Sequence, residues 1–254
     1  MSNMTLLGPA DAAPFRIINK AGRSSFLLLG DHAGNAIPAK LAWLGLGEGD
    51  LTRHIAWDIG VSALGTRLAQ SLDACFIEQR YSRLVVDCNR HAAAPDAMAA
   101  RSDGTVVPAN VDLAPADRAA RLAEIYEPYH RAIADTLAER LIARRPTVLV
   151  ALHSFTPSLA GGALRPWDIG VLHDGRNDGF ARALLALLTA TPGLCVGDNQ
   201  PYQMNGTDYT VPRHAWPALP YVEVEVNQRR LADDPGIMEM ASVLTKMLTE
   251  AAIA

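Results

Sequence analysis

Apolar runs of four to six residues recur along the chain, closed by glycine, proline or small polar residues. They alternate with longer stretches whose apolar positions fall three and four apart. The short runs have the length of buried strands and the longer ones the period of amphipathic helices. Residues 15–18 and 26–29 are predicted as the first two strands, with Ala21-Gly22-Arg23 turning between them. A helix opened by Asp50 or Thr52 would carry Ile55, Ile59, Ala63, Leu64, Leu68 and Leu72 on one face. Residues 74–77 and 84–86 read as strands, and 89–117 as a long polar loop with Pro95, Gly104, Pro108 and Pro115. Residues 117–145 carry a strong helical period, bent at Pro128. Then come strands at 147–152 and 169–172, a helix at 180–188, an irregular stretch at 197–214, a strand at 221–226 and a closing helix at 235–252. Strands alternating with helices predict an α/β fold, with a mixed, mostly parallel sheet covered by helices on both faces. No repeat or linker divides residues 1–254, so one domain is expected, with 1–14 as a loose N-terminal arm.

Composition narrows the class of protein. Of 254 residues, 49% are hydrophobic and 20% charged, the mix of a globular chain with a sizeable core. The net charge is −4 and no basic stripe is present, which argues against nucleic-acid or membrane-surface partners. No apolar run reaches the roughly 18 residues of a membrane span. The first residues lack the basic start and apolar core of a signal peptide, so a cytoplasmic location is expected. Cys75, Cys88 and Cys195 are too far apart for a metal knuckle, and the apolar neighbours of Cys75 and Cys195 predict buried free thiols. Nothing in the sequence sets an oligomeric state.

Three constellations carry candidate chemistry. His32 follows the 26–29 run and His153 the 147–152 run, which places both imidazoles at the carboxyl ends of strands, where open α/β sheets build ligand sites. Two such histidines make half a zinc site, and a carboxylate can complete it. Asp58 is the first candidate, with Asp31 competing. The strand Val222-Glu223-Val224-Glu225-Val226-Asn227 alternates strictly, with valines on one face and Glu223, Glu225 and Asn227 on the other. A solvated outer strand explains that pattern. A carboxylate placed as general base beside a metal explains it too. Finally, Arg83 and Arg90 flank the 84–86 run, and Asn89-Arg90 sits at its exit. The planar fork of arginine suits a substrate carboxylate. Cys88 lacks a partnering base, which disfavours it as a nucleophile.

Taken together, the chain resembles the N-formylglutamate amidohydrolase family, relatives of the zinc carboxypeptidases. The markers are Asp31-His32-Ala33-Gly34-Asn35 with Pro38, Trp57-Asp58, the run from Ser82 to Arg90, Pro128-Tyr129-His130, Leu152-His153-Ser154-Phe155 and Glu225-Val226-Asn227. The resemblance implies a zinc-carboxypeptidase-like (phosphorylase/hydrolase-like) domain with one zinc. His32 and His153 are then metal ligands, Glu225 the general base, and Asn89-Arg90, with Arg83, the grip on a substrate carboxylate. The chain departs from the carboxypeptidases at Asn35, where they place a glutamate ligand, and Asp58 is expected to substitute. The implied reaction is metal-assisted hydrolysis of the N-formyl amide of an acidic amino acid such as N-formyl-L-glutamate. Other N-acyl amino acids or small peptides are alternative substrates. A non-catalytic ligand-binding role is the alternative outside enzymes.

Overall fold

The computed structural model describes residues 5–204 and 206–253. In chain order the elements are β1 (Phe15–Ile18), β2 (Phe26–Gly30), α1 (Glu48–Leu51), α2 (Val61–Ser71), β3 (Cys75–Gln79), the short hairpin β4 (Arg101–Ser102) and β5 (Thr105–Val106), and α3 (Pro115–Arg121). They continue with α4 (Glu127–Ile142), β6 (Val148–Phe155), β7 (Ile169–Leu172), α5 (Gly179–Thr189), β8 (Val196–Asp198), α6 (Thr210–His214), β9 (Tyr221–Asn227) and α7 (Asp234–Ala251). The main sheet has seven strands in the order β1-β3-β2-β6-β9-β7-β8. Its centre, β3-β2-β6-β9, is parallel throughout. β1 runs antiparallel to β3, and the parallel pair β7–β8 joins by running antiparallel to β9. Four parallel strands therefore deliver their carboxyl ends to one edge. No helix of the described residues is long and apolar enough to cross a membrane.

Alternation along each strand divides the core into two layers. Leu28, Phe76, Val150, Val222 and Val224 face α2, α5 and α7, whose apolar stripes include Leu64, Leu68, Leu184 and Leu244. Leu27, Leu29, Ile77, Leu149 and Tyr221 face the other way, onto Tyr129 and Ile133 of α4. β9 is buried along its whole length. That excludes the solvated outer strand: its glutamate face lies between β6 and β7 in the interior of the sheet.

Several local expectations are corrected. The helix predicted from residue 50 or 52 is divided into the single turn α1 and, from Val61, α2, whose start is set by Gly60 at φ +87. That left-handed geometry suits glycine, and a Cβ there would lie 2.5 Å from the Leu231 Cβ. Residues 84–86 form no strand. Ser82 takes the Leu84 N–H on its hydroxyl and the Val85 N–H on its carbonyl, and the resulting turn buries Leu84, Val85 and Val86 against the α4 layer. Apolarity there reports burial without sheet pairing, so Arg83 and Arg90 flank a buried turn. The long helical pattern, expected to bend at Pro128, divides into α3 and α4 with a π-helical turn over Leu122–Tyr126 between them, just ahead of the proline. The irregular stretch at 197–214 contains β8 and α6. Residues 5–14 of the N-terminal arm are docked. Leu6 is buried, the Leu6 and Leu7 N–H groups donate to Glu124, and the Pro14 carbonyl accepts from Arg80 N–H. Residues 1–4 lie outside the described residues. Cys75 and Cys88 are buried, but Cys195 is exposed where the chain enters the edge strand β8.

One packing feature behind the sheet edge titrates. His130 on α4 is fully buried and donates from Nε2 to the Cys88 carbonyl at 3.0 Å, so its Nδ1 must accept from His214 Nε2–H, also at 3.0 Å. Burial, with the neighbouring imidazole second, pushes His130 down to about 3; burial, with Arg213 second, pushes His214 down to about 4. Both are therefore neutral in the folded protein, whereas they charge near pH 6.5 when unfolded. Depressed histidine values mean that the unfolded chain binds the extra protons, so these groups cost stability as pH falls from 6.5 toward 4. The slope reaches about 1.4 kcal/mol per pH unit for each histidine. His214→Gln keeps an N–H donor for His130 and removes one titration. Urea midpoints of the two proteins between pH 7 and 4.5 should converge, the wild type losing more on acidification; parallel curves would refute the assignment.

Candidate active site

The site is assembled at the carboxyl edge of the four parallel strands. β2 ends at Gly30 and hands the chain to Asp31 and His32, both buried. The turn that follows needs Gly34, where a Cβ would meet the Arg80 carbonyl oxygen at 2.1 Å. The Asp58 N–H donates to the His32 carbonyl at 2.8 Å, pinning the turn before α2 against that loop. β6 carries His153 two residues before its end, a later point than the sequence marks, and its register sets His153 beside Glu225 of β9.

His153 Nδ1 lies 2.9 Å from Asp58 Oδ2, and His32 Nδ1 lies 3.5 Å from that same oxygen. The two imidazoles stand edge to face with centroids 5.0 Å apart. Among the described residues this is the one group of three His, Cys, Asp or Glu side chains able to hold a metal, with one donor atom from each within 4.8 Å of the others. Two nitrogens and one carboxylate oxygen suit zinc and leave a coordination position for water. The fit is supported by orphaned atoms: His32 Nδ1 is buried and has no hydrogen-bond partner.

Electrostatics point the same way. Burial opposes charge on His153, yet Glu223, Asp31 and Asp58 outweigh it and hold its pKa well above the usual imidazole range. For His32, burial and Arg83 are outweighed by Asp87 and Asp58. Asp58 is held far below the usual carboxylate range by the two histidines despite its burial. A cavity that stabilises positive charge on both rings is one in which a cation can replace protons.

His32 is oriented from behind. Its Nε2 lies 2.7 Å from Asp87 Oδ1, and Arg83 grips Asp87 Oδ2 with Nε at 3.0 Å and Nη2 at 2.7 Å. The remaining Arg83 nitrogen, Nη1, is 3.7 Å from Asp58 Oδ1. Asn89 accepts the N–H groups of Tyr209 and Thr210 on Oδ1, anchoring the segment that leads into α6. Arg90 donates from Nε to Asp96 at 2.9 Å and from Nη1 to the Asn89 carbonyl.

His32, Asp58 and His153 share one cavity of about 440 Å³ with Arg83, Asn89 and Arg90. Glu223 and Glu225 reach it from β9, and the Oε2 of each is buried without a partner. Burial pushes both carboxyls up to about 8, with His153 pulling the other way. The chain thus brings together every residue singled out for chemistry except four. Asn227 lines no part of the cavity and donates to the Trp167 carbonyl. Asp31 sits behind the site. Asn35 lines no part of the cavity and donates its amide to the Leu51 carbonyl. Cys88 is buried outside the cavity, its thiol pushed well up by burial. Sequence reasoning assigned no role to Asp87, Tyr129 or Thr210. Asp87 and Tyr129 each stand within a marked motif, Asp87 two residues before Asn89, whereas Thr210 carries no local signal.

Comparison with known proteins bears on the family and the fold. The sequence profile of the N-formylglutamate amidohydrolase family matches residues 24–232. A solved gene product of Agrobacterium tumefaciens is 35% identical, covers 98% of each chain and superposes with a TM-score of 0.93. The N-formylglutamate amidohydrolase of Ralstonia eutropha JMP134 is 18% identical over 95% of this chain and 98% of its own, with a TM-score of 0.76, a likeness of fold. Among functionally curated proteins no significant match is found. The profile spans the whole run of elements that builds the cavity, from β2 through β9, and with it the chain belongs to the N-formylglutamate amidohydrolase family.

Proposed function

We propose that this protein is a metal-dependent amidohydrolase that cleaves the N-formyl amide of an acidic amino acid such as N-formyl-L-glutamate, giving formate and glutamate. The observation that carries the reading is the His32–Asp58–His153 group opening into the same cavity as the Glu223–Glu225 face of β9. Zinc held by those three residues would supply Lewis acidity toward an acyl carbonyl and would lower the pKa of water. Glu225, level with His153 in the sheet, takes the proton from the attacking water and returns it to the nitrogen as the C–N bond breaks. In the metal-free cavity burial raises the Glu225 carboxyl to about 8, and a cation held by His32, Asp58 and His153 would favour the ionised form that accepts the proton. Arg90 takes the substrate carboxylate in exchange for Asp96 and offsets charge at the tetrahedral carbon. Arg83, already engaged by Asp87, contributes through Nη1 and by bracing His32, while Asn89 holds the neighbouring segment in place.

Cavity size favours a second reading within the same chemistry. About 440 Å³ lies in the range of roughly 300–1,000 Å³ that takes drug-sized ligands, more than a formyl group demands. Leu159, Tyr202 and Phe155 supply apolar wall, which suits a larger N-acyl group or a small peptide. The test is metal analysis of the purified protein together with formate release from N-formyl-L-glutamate, with and without added zinc. About one equivalent of zinc with formate release is the expected result. Zinc without formate would move the substrate to other N-acyl amino acids. No metal, even after supplementation, would overturn the enzyme reading and leave a ligand-binding protein.

A further inference from the structure

Asp31 is fully buried at its side chain and lines no part of the cavity. Its Oδ1 accepts two hydroxyl hydrogen bonds, from Tyr129 Oη of α4 at 2.8 Å and from Thr210 Oγ1 of α6 at 2.9 Å. Its Oδ2 accepts none, yet lies 3.4 Å from His153 Nε2, which is also buried and without a partner. Two unpaired buried polar atoms facing each other at that distance are a hydrogen bond waiting for a small adjustment, because leaving both unmade costs far more than a typical net bond returns.

The two ring nitrogens of an imidazole lie on different edges, so only one can face Asp58. In His32 that nitrogen is Nδ1, and Nε2 is turned back onto Asp87. In His153 it is again Nδ1, at 2.9 Å, and Nε2 is turned back onto Asp31. Each histidine therefore has its own carboxylate behind it. The two carboxylates are held differently: Asp87 by the Arg83 guanidinium, Asp31 by two neutral hydroxyls that saturate Oδ1 and aim Oδ2.

We propose that Asp31 is the positioning residue of His153, accepting its Nε2–H so that Nδ1 is presented beside Asp58, and that Tyr129 and Thr210 aim Asp31 for this task. The proposal rests on His153 being a ligand in the reading above. It also gives the segment ahead of α6 a second duty. Asn89 fixes that segment through the Tyr209 and Thr210 N–H groups, and Thr210 then reaches Asp31. The stretch beside the substrate-gripping Arg90 is thereby tied to the second histidine.

The test uses the full chain and reads two quantities besides activity: the zinc Kd by chelator competition, and the His153 ring Nε2–H resonance by proton–nitrogen NMR, with and without zinc. In the wild type this proton should be shifted downfield and protected from exchange. Asp31→Asn keeps the shape but turns an N–H toward Nε2. It should weaken zinc about 10- to 100-fold, the usual cost of losing a partner behind a ligand histidine, and move the resonance upfield with faster exchange. Thr210→Val and Tyr129→Phe, each removing one donor, should move it the same way by less, and they decide the matter should Asp31→Asn fail to fold. Wild-type Kd with an unmoved resonance would overturn the proposal. So would loss of zinc as complete as in His153→Ala, which would make Asp31 a ligand. If the wild type binds no zinc at all, the metal reading fails, while the resonance still decides whether Asp31 holds His153.

Discussion

His153→Ala is expected to lose its metal and its activity together. The group offers two nitrogens and one carboxylate oxygen, and alanine leaves one nitrogen and a lone Asp58 that has lost its closest imidazole contact, 2.9 Å away. Metal catalysis contributes several kcal/mol of charge stabilisation, and each ~1.4 kcal/mol is tenfold in rate, so formate release should fall about a thousandfold or more. Metal content and rate are to be measured on the same preparation. Full activity in the variant would refute zinc ligation by His153. Asp31 and Asp58 both lose their His153 partner, so melting should also come at a lower temperature. Circular dichroism at the assay temperature separates inactivation from unfolding.

Glu225→Gln should separate the two properties that His153→Ala loses jointly. Glutamine keeps the volume on β9 and leaves His32, Asp58 and His153 untouched, so metal content should match the wild type. Loss of the proton carrier should lower kcat by about 10²- to 10⁴-fold, the usual worth of general base catalysis. Glu223→Gln is the comparison: it stands two residues back on the same face of β9 and is buried to a similar degree. Should Glu223→Gln carry the loss instead, the base is Glu223. The linkage sign gives an independent check in the metal-free protein. A carboxyl raised to about 8 when folded, against about 4.5 when unfolded, stays protonated only in the fold, so its contribution to stability is lost as pH rises toward 8. Glutamine has no such loss. The variant should therefore be more stable than the wild type at pH 8 while being far slower.

The parts of the site that could be read in the sequence are those where one local rule suffices. Apolar runs ending in a histidine mark strand ends at 32 and 153, and strict alternation around Glu223 and Glu225 marks a strand with two unlike faces. The same rule misreads residues 84–86, because apolar residues bury equally well in a turn. It also cannot say which side of His153 faces which carboxylate. Asp31 meets Tyr129 across 98 residues and Thr210 across 179, and Asp58 meets His153 across 95. Such pairings exist only once the sheet order brings β2, β6 and β9 side by side. Whether Asp58 or Asp31 joins the two imidazoles is left open by spacing, and ring geometry decides it. Gly60 shows the converse: a left-handed residue marks where α2 starts, inside a stretch that the apolar period alone reads as one helix.

The position of β9 carries a consequence for how the molecule comes into being. Among the described residues it is the last strand in sequence order, yet it lies between β6 and β7 in the sheet. A ribosome releasing this chain from its amino end delivers the neighbours long before the strand that joins them. Until β9 arrives, β6 and β7 each keep an open edge, the kind of surface that recruits unrelated strands. Glu223 and Glu225 arrive with that strand, so a nascent chain can gather both histidines before the carboxyl groups that share their cavity. The interval before β9 is made is therefore the one in which those two edges stand open to misassembly.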